Sequence, residues 1–137
     1  VFSVTVCTAD KQAIFAHPGH ARLVFDSILH GRLTLRTECY AVCLMPDHVH
    51  LLVAPRGCDL VWALQQWKSW TTRRLHALGW RGPAWQRSFY DHALRGQEDV
   101  KAAALYIVSN PVRRGLVAHW KDYPYGWCQG HSPPPRL

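Results

Sequence analysis

The sequence predicts an α+β fold: an antiparallel sheet with helices packed on one face. Three features point there. Short β-branched runs alternate in polarity with a period of two, longer segments repeat their apolar residues at helical spacing, and Pro, Gly and Asn punctuate the joins. The resulting order is strand, helix, two hairpin-linked strands, helix, strand, helix, the pattern of an open sheet backed by helices. At 137 residues, 48% hydrophobic and with seven tryptophans, the chain can bury one proper core.

Residues 1–8 (VFSVTVCT) alternate and are rich in β-branched side chains, as a first strand requires. After the break at Pro18-Gly19, residues 20–30 carry Leu23, Val24, Ser27 and Ile28 at helical spacing, and Gly31 ends that helix. Residues 33–44 read as a long strand with Leu33, Leu35, Cys39, Ala41 and Cys43 on one side. A turn through Met45-Pro46-Asp47 leads into a partner strand that ends near Pro55-Arg56-Gly57. Asp59 suits the N-cap of the next helix, whose inward stripe is Leu60, Ala63, Leu64, Trp67, Thr71, Leu75 and Leu78, with Gly79 as its stop. Residues 85–94 (WQRSFYDHAL) read as a further strand. A last helix opens at residues 96–99, where Glu98 and Asp99 suit the positive end of its dipole, packs through Val100, Ala103, Ala104, Ile107 and Val108, and closes at Asn110-Pro111. Residues 1–125 form one expected domain, and residues 126–137 an irregular tail.

The partner strand carries the chemistry. His48 and His50 are one residue apart, so in extended chain they project to the same side while Val49 and Leu51 project to the other. Two imidazoles about 7 Å apart along a strand can converge on one divalent cation. They can equally be hydrogen-bonded core residues, and the strand alone does not choose.

Lysine and arginine outnumber acidic residues 16 to 9, a net charge of +7, which favours an anionic partner such as nucleic acid. Arginines interleaved with aromatics fit phosphates and bases. The basic side chains expected against nucleic acid are Lys68, Arg73 and Arg74 on the second helix, Arg87 and Arg95 near the ends of the 85–94 strand, and Arg113 and Arg114. For the helix the alternative is a merely solvated basic face. The five cysteines form no Cys-x-x-Cys pair, so neither a disulfide framework nor a zinc knuckle is expected, and a reducing cytosol is the default compartment. No apolar run approaches a membrane span.

Tyr106 and Asn110 lie four residues apart on the last helix and share a face. Taken singly, each is ordinary, a rim tyrosine and a helix-end cap. Taken with a basic chain and the histidine pair, Tyr106 reads as a nucleophile and Asn110 as a third, oxygen-donating metal ligand. A phenol with a pKa near 10 attacks a phosphodiester poorly unless a bound cation makes the phosphorus more electrophilic.

MPDHVHLLV, WQRSFYDHALR and YIVSNPVRRGLV, in that order, resemble the REP-associated tyrosine transposases, within the single-tyrosine HUH (IS200-like) group. The resemblance covers residues 1–125. It implies a ferredoxin-like or RRM-like sheet, single-stranded DNA hairpins of repetitive extragenic palindromes as substrate, and Mg²⁺ or Mn²⁺ as cofactor. It implies that His48 and His50 are the HUH pair, that Tyr106 forms a 5′-phosphotyrosine link and releases a 3′-hydroxyl, and that Asn110 is the remaining polar ligand. Rejoining would then need no ATP. Tyr90 lies in a family-like block and stands as an additional or alternative nucleophile. Against the enzyme stands a non-catalytic RRM-like module that binds hairpin DNA or RNA; either would act as a monomer or homodimer.

Overall fold

Alternation places the first strand. The computed structural model describes residues 1–95 and 99–132, and in it β1 (Phe2–Cys7) buries Val4 and Val6 completely. The next helix, α1 (Pro18–Leu29), starts two residues earlier than its apolar spacing suggests. The His17 imidazole accepts from the backbone N–H groups of Gly19 and His20, and Pro18 needs no partner at the first helical position.

Strand β2 (Thr37–Met45) is shorter than expected at its start. Residues 33–36 form a turn instead: the backbone N–H of Arg36 and both the N–H and hydroxyl of Thr37 donate to the Leu33 carbonyl. Leu35, expected inward, is therefore exposed. A β-bulge between Cys39 and Ala41 then shifts the pairing with β3 (His48–Pro55). It reverses the parity of β2, so Cys39 packs in one core while Ala41 and Cys43 pack in the other.

Helix α2 (Leu60–Ala77) begins on the Asp59 cap, whose carboxylate accepts from Val61 N–H. Gly79 (φ 104°) takes the left-handed turn that ends it. Leu78, expected in the inward stripe, caps the helix and is exposed. The expected 85–94 strand shrinks to β4 (Tyr90–Ala93). Trp85 makes only a single bridge, to Thr8, because its indole turns inward to lie 5.0 Å from Trp67. Both buried indole N–H groups find hydroxyls: Trp85 donates to Thr71 and Trp67 to Ser27, each at 2.9 Å.

Asp99 caps helix α3 (Val100–Val108) by accepting from Lys101 N–H, while Glu98, expected in its first turn, lies outside the described residues. Pro111 does not stop the chain from turning. A separate short helix, α4 (Asn110–Arg113), follows at once, with proline in its first turn where no N–H is missed. The expected irregular tail holds β5 (Gly126–Cys128), paired with the outer edge of β2.

The sheet order is β4-β1-β3-β2-β5, antiparallel throughout. The first four strands with α1 and α2 follow the β-α-β-β-α-β path of ferredoxin-like folds. The expected α+β antiparallel class is what the chain adopts. Packing on one face holds for α1 and α2, which close over Val4, Val6, Val42, Leu44, Val49, Leu51 and Val53. In contrast, α3 covers the opposite face through Ala104, Ile107 and Val108 against Ala41, Cys43, Met45 and Leu52. Strands β2 and β3 are apolar on both faces and need cover on both; their nearly continuous apolar runs carried that signal. Among the described residues no helix is long and apolar enough to cross a membrane, and all five cysteines are free.

Candidate functional site

The α3-covered face is also the histidine face. His48 and His50 alternate with Val49 and Leu51, so they project beside Leu52 toward α3's side of the sheet. Their rings meet edge to face, centroids 4.8 Å apart. On one side stand Cys7 and Thr5 of β1, and on the other Met45 and Cys43 of β2, the direct cross-strand partners of His48 and His50.

Each imidazole is oriented through the same nitrogen. His48 Nδ1 bonds Asp47 Oδ1 at 2.6 Å, and His50 Nδ1 bonds Thr5 Oγ1 at 2.9 Å. A carboxylate accepts only, so the hydrogen bond is donated by His48 Nδ1–H, which leaves Nε2 as the ring nitrogen that this bond does not tie. This is how metal-ligating histidines are held, one ring nitrogen tied and the other turned to the ion. Burial, then the positive influence of His48, Arg113 and Arg114, pushes His50 down to about 4, which keeps that ring neutral at physiological pH.

Asn110 is 6% exposed, and its amide nitrogen has no hydrogen-bond partner among the described residues. A buried amide without a partner calls for an explanation. Exchanging the amide's two ends, which hydrogen-bond networks decide, would turn its oxygen to the same unpartnered position. Among the described residues no group of three His, Cys, Asp or Glu gathers for a metal ion. Among the described residues, a third donor beside His48 and His50 would be of another type, and an amide oxygen qualifies.

Tyr106 is on α3, the helix that covers this face, and is 66% exposed. The Arg113 guanidinium lies 3.9 Å from its ring centroid and donates to its backbone carbonyl at 2.8 Å. The charge of Arg113 also reaches His50 and Cys43, so this arginine joins the tyrosine's surroundings to the strand pair. From the sequence its expected role is simply that of a nucleic-acid contact. Arg114 is exposed beside it and likewise acts on His50.

The other expected basic contacts fall elsewhere. Lys68 donates its ammonium to the carbonyls of Gln86 and Arg87, pinning the segment after Trp85 to α2. Arg73 and Arg74 are exposed on α2, which packs on the sheet face away from the histidines. Arg87 and Arg95 are exposed on either side of β4.

Tyr90 lies across from Thr5, which lies across from His50, so one row of the sheet reads Tyr90, Thr5, His50, Cys43, Gly126. Directly paired residues share a face. Tyr90, 71% exposed, therefore stands on the histidine side of the sheet, two strands from His50. Two residues that the sequence reading passed over complete the pair, Asp47 and Thr5. Asp47 adjoins His48 in sequence; Thr5 could be found only through strand register.

The family model described as Transposase IS200 like matches residues 3–110. A REP-associated tyrosine transposase of Escherichia coli (strain K12) is 32% identical over 89 residues, covering 64% of this chain and 52% of that protein. A Haemophilus influenzae protein assigned to the same group is 34% identical over 100 residues, 64% of this chain and 57% of that one. The chain thus spans little more than half the length of these relatives. A solved structure of a REP-associated tyrosine transposase bound to a REP hairpin superposes with a TM-score of 0.70 at 25% identity, covering 91% of this chain and 74% of that one.

Proposed function

Because this chain belongs to the IS200-like transposase family, we propose that it nicks and rejoins single-stranded DNA beside hairpins through a covalent tyrosine intermediate. The observation that carries the reading is the histidine pair: two adjacent imidazoles on a rigid strand, each with Nδ1 tied, on the sheet face covered by the helix that bears Tyr106. Packed secondary structure holds such a constellation more tightly than a loop could.

In this reading the Tyr106 hydroxyl oxygen attacks the phosphorus of the scissile phosphodiester. A tyrosine–phosphate bond forms as the P–O3′ bond breaks. The phenolic proton leaves to solvent, the departing oxygen takes one up as a free 3′-hydroxyl, and the 5′-phosphate stays on Tyr106. Attack by a 3′-hydroxyl on that linkage reverses the balance and reseals the strand, with no external energy source. His48, His50 and the amide oxygen of Asn110 fit Mg²⁺ or Mn²⁺, which when bound neutralises charge building on the phosphate oxygens and orients the phosphate for in-line attack. The unpartnered Asn110 amide and the neutral His50 are the features that favour this donor set. Arg113, against the Tyr106 ring, both orients the phenol and lies ready for a phosphate.

The hairpin is proposed as the recognised shape because the similar solved structure is bound to one. Incubation with an end-labelled hairpin carrying unpaired flanks, with and without Mn²⁺, tests the whole reading. Parent protein is expected to give a denaturant-stable protein–DNA band only with metal. Tyr106→Phe should give none while still binding the hairpin, and His48→Ala should also give none. An adduct that persists in Tyr106→Phe would overturn the nucleophile assignment. A parent protein that binds the hairpin yet never forms the band, whatever the metal, would make it a binding module.

A further inference from the structure

On the opposite side of the molecule from the histidine pair, α2 carries Trp62, Gln66, Trp70 and Arg73 at spacings of four, four and three residues, one stripe along its outer flank. The turn before β2 lies alongside and contributes Arg32, Leu35 and Arg36. Together they line a shallow hollow of about 140 Å³ whose walls include no acidic side chain among the described residues. The guanidinium of Arg36 lies 5.0 Å from the Trp62 ring centroid, and those of Arg32 and Arg74 each lie 5.3 Å from that of Trp70. Trp62 is 39% exposed and Leu35 69% exposed, so neither is spent on the core.

From these contacts we propose that this strip is a second DNA-binding site, which grips an unpaired stretch of strand by stacking its bases on Trp62 and Trp70 while Arg32, Arg36, Arg73 and Arg74 hold its phosphates. The inference rests on the reading of the protein as a single-stranded-DNA enzyme and adds where a length of strand away from the scissile phosphate is held. Aromatic rings set in a positively charged groove are what sequence-tolerant single-strand binding uses. The stripe from Trp62 to Arg73 rises about 17 Å along the helix. That is room for roughly five stacked nucleotides at 3.4 Å each. Duplex DNA keeps its bases inside and offers the tryptophans nothing to stack on. A second copy of the chain is disfavoured, since a two-fold contact would set four arginines against four more. The guanidinium–indole contacts hold rings and charges in place before the strand arrives, which lowers the ordering cost of binding.

The test is equilibrium binding of a fluorescein-labelled oligothymidylate of about 12 nucleotides, within the size range of single-strand sites. The full chain is used in EDTA, so that no cleavage contributes. Trp62→Ala/Trp70→Ala is expected to weaken binding about tenfold or more and to abolish the quenching of indole fluorescence that stacking produces. Trp62→Phe/Trp70→Phe should retain most of the affinity. Arg32→Gln/Arg36→Gln should make the slope of log K against log salt shallower by about 1.4, two phosphate contacts' worth for a single strand. Should the double alanine variant not fold, Trp62→Ala alone and the arginine pair read the same site. Parent-like binding by the alanine and glutamine variants overturns the proposal. So does unlabelled duplex competing as well as single strand. Loss of the covalent band in Tyr106→Phe and loss of this metal-independent binding in Trp62→Ala/Trp70→Ala are separate readouts, so failure of one site is distinguishable from failure of the other.

Discussion

Thr5 shows how much one hydroxyl can decide. It lies on a neighbouring strand, touches His50 Nδ1 at 2.9 Å, and so fixes which way that ring turns its other nitrogen. Partners of this kind typically govern metal affinity by 10- to 100-fold. Thr5→Val keeps the shape and removes the hydrogen bond, and is expected to weaken Mn²⁺ binding, followed by the paramagnetic signal of the free ion, by about tenfold. Thr5→Ser restores the hydroxyl and should restore the affinity, which a packing defect would not allow. Tyr90 poses the complementary question. Its phenol stands in the same sheet row as His50 but two strands away, and its ring is free to meet a base. With Tyr106 as nucleophile, Tyr90→Phe should form the covalent adduct at the parent's rate. Tyr90→Ala should raise the DNA concentration needed for half-maximal adduct by roughly tenfold, the loss of one stacked base. A Tyr90→Phe variant without adduct would move the nucleophile from α3 to β4.

At the scale of elements, what was legible in the chain was what local periodicity encodes. The histidine strand, its two-residue turn, the Asp59 cap and the inward stripe of α2 from Leu60 to Leu75 all lie where the pattern puts them. Elements defined by distant partners were not legible. Residues 33–36 alternate like a strand but are captured in a turn by hydrogen bonds to the Leu33 carbonyl. Residues 85–89 look extended, yet the Trp85 indole is worth more in the core, bonded to Thr71, than on a ladder. Strand β5 has only three residues and exists because the edge of β2 is there to receive it. A chain ended at Tyr125 tests that dependence. It would expose the outer edge of β2 at Ala41, Val42 and Cys43 and remove the buried Cys128. Unpaired apolar edges invite self-association. The shortened protein is expected to melt several degrees lower, as a loss of about 1–2 kcal/mol would produce, and to aggregate in proportion to its concentration. An unchanged melting curve would mean that β5 rests on the sheet without supporting it.

Across the whole molecule, one sheet separates two apolar layers, with the histidine pair on one side and the arginine–tryptophan strip on the other. Whether those layers open together can be read from two buried thiols. Cys39 belongs to the layer under α1 and α2, and Cys43 to the layer under α3. Burial pushes each thiol up to about 12. At pH 8 both are therefore protonated in the fold and inert to iodoacetamide, because only thiolate reacts. An unfolded cysteine ionises near 8.5. The folded pKa is the higher one, so the native state binds more protons than the unfolded chain above that pH. Their contribution to stability is complete below about pH 8.5 and is lost as the pH climbs toward 12. Strands β2 and β3 contribute to both layers, which makes a single cooperative unit the expected behaviour. Cys7 and Cys58, each half-exposed, should then be labelled first. Cys39 and Cys43 should follow slowly and at matching rates, through openings that cost most of the global stability. Peptide mass spectrometry of a labelling time course at pH 8 measures this directly. If Cys43 were modified well ahead of Cys39, α3 would be lifting from the sheet on its own, and the element that carries Tyr106 would be the mobile part of the site.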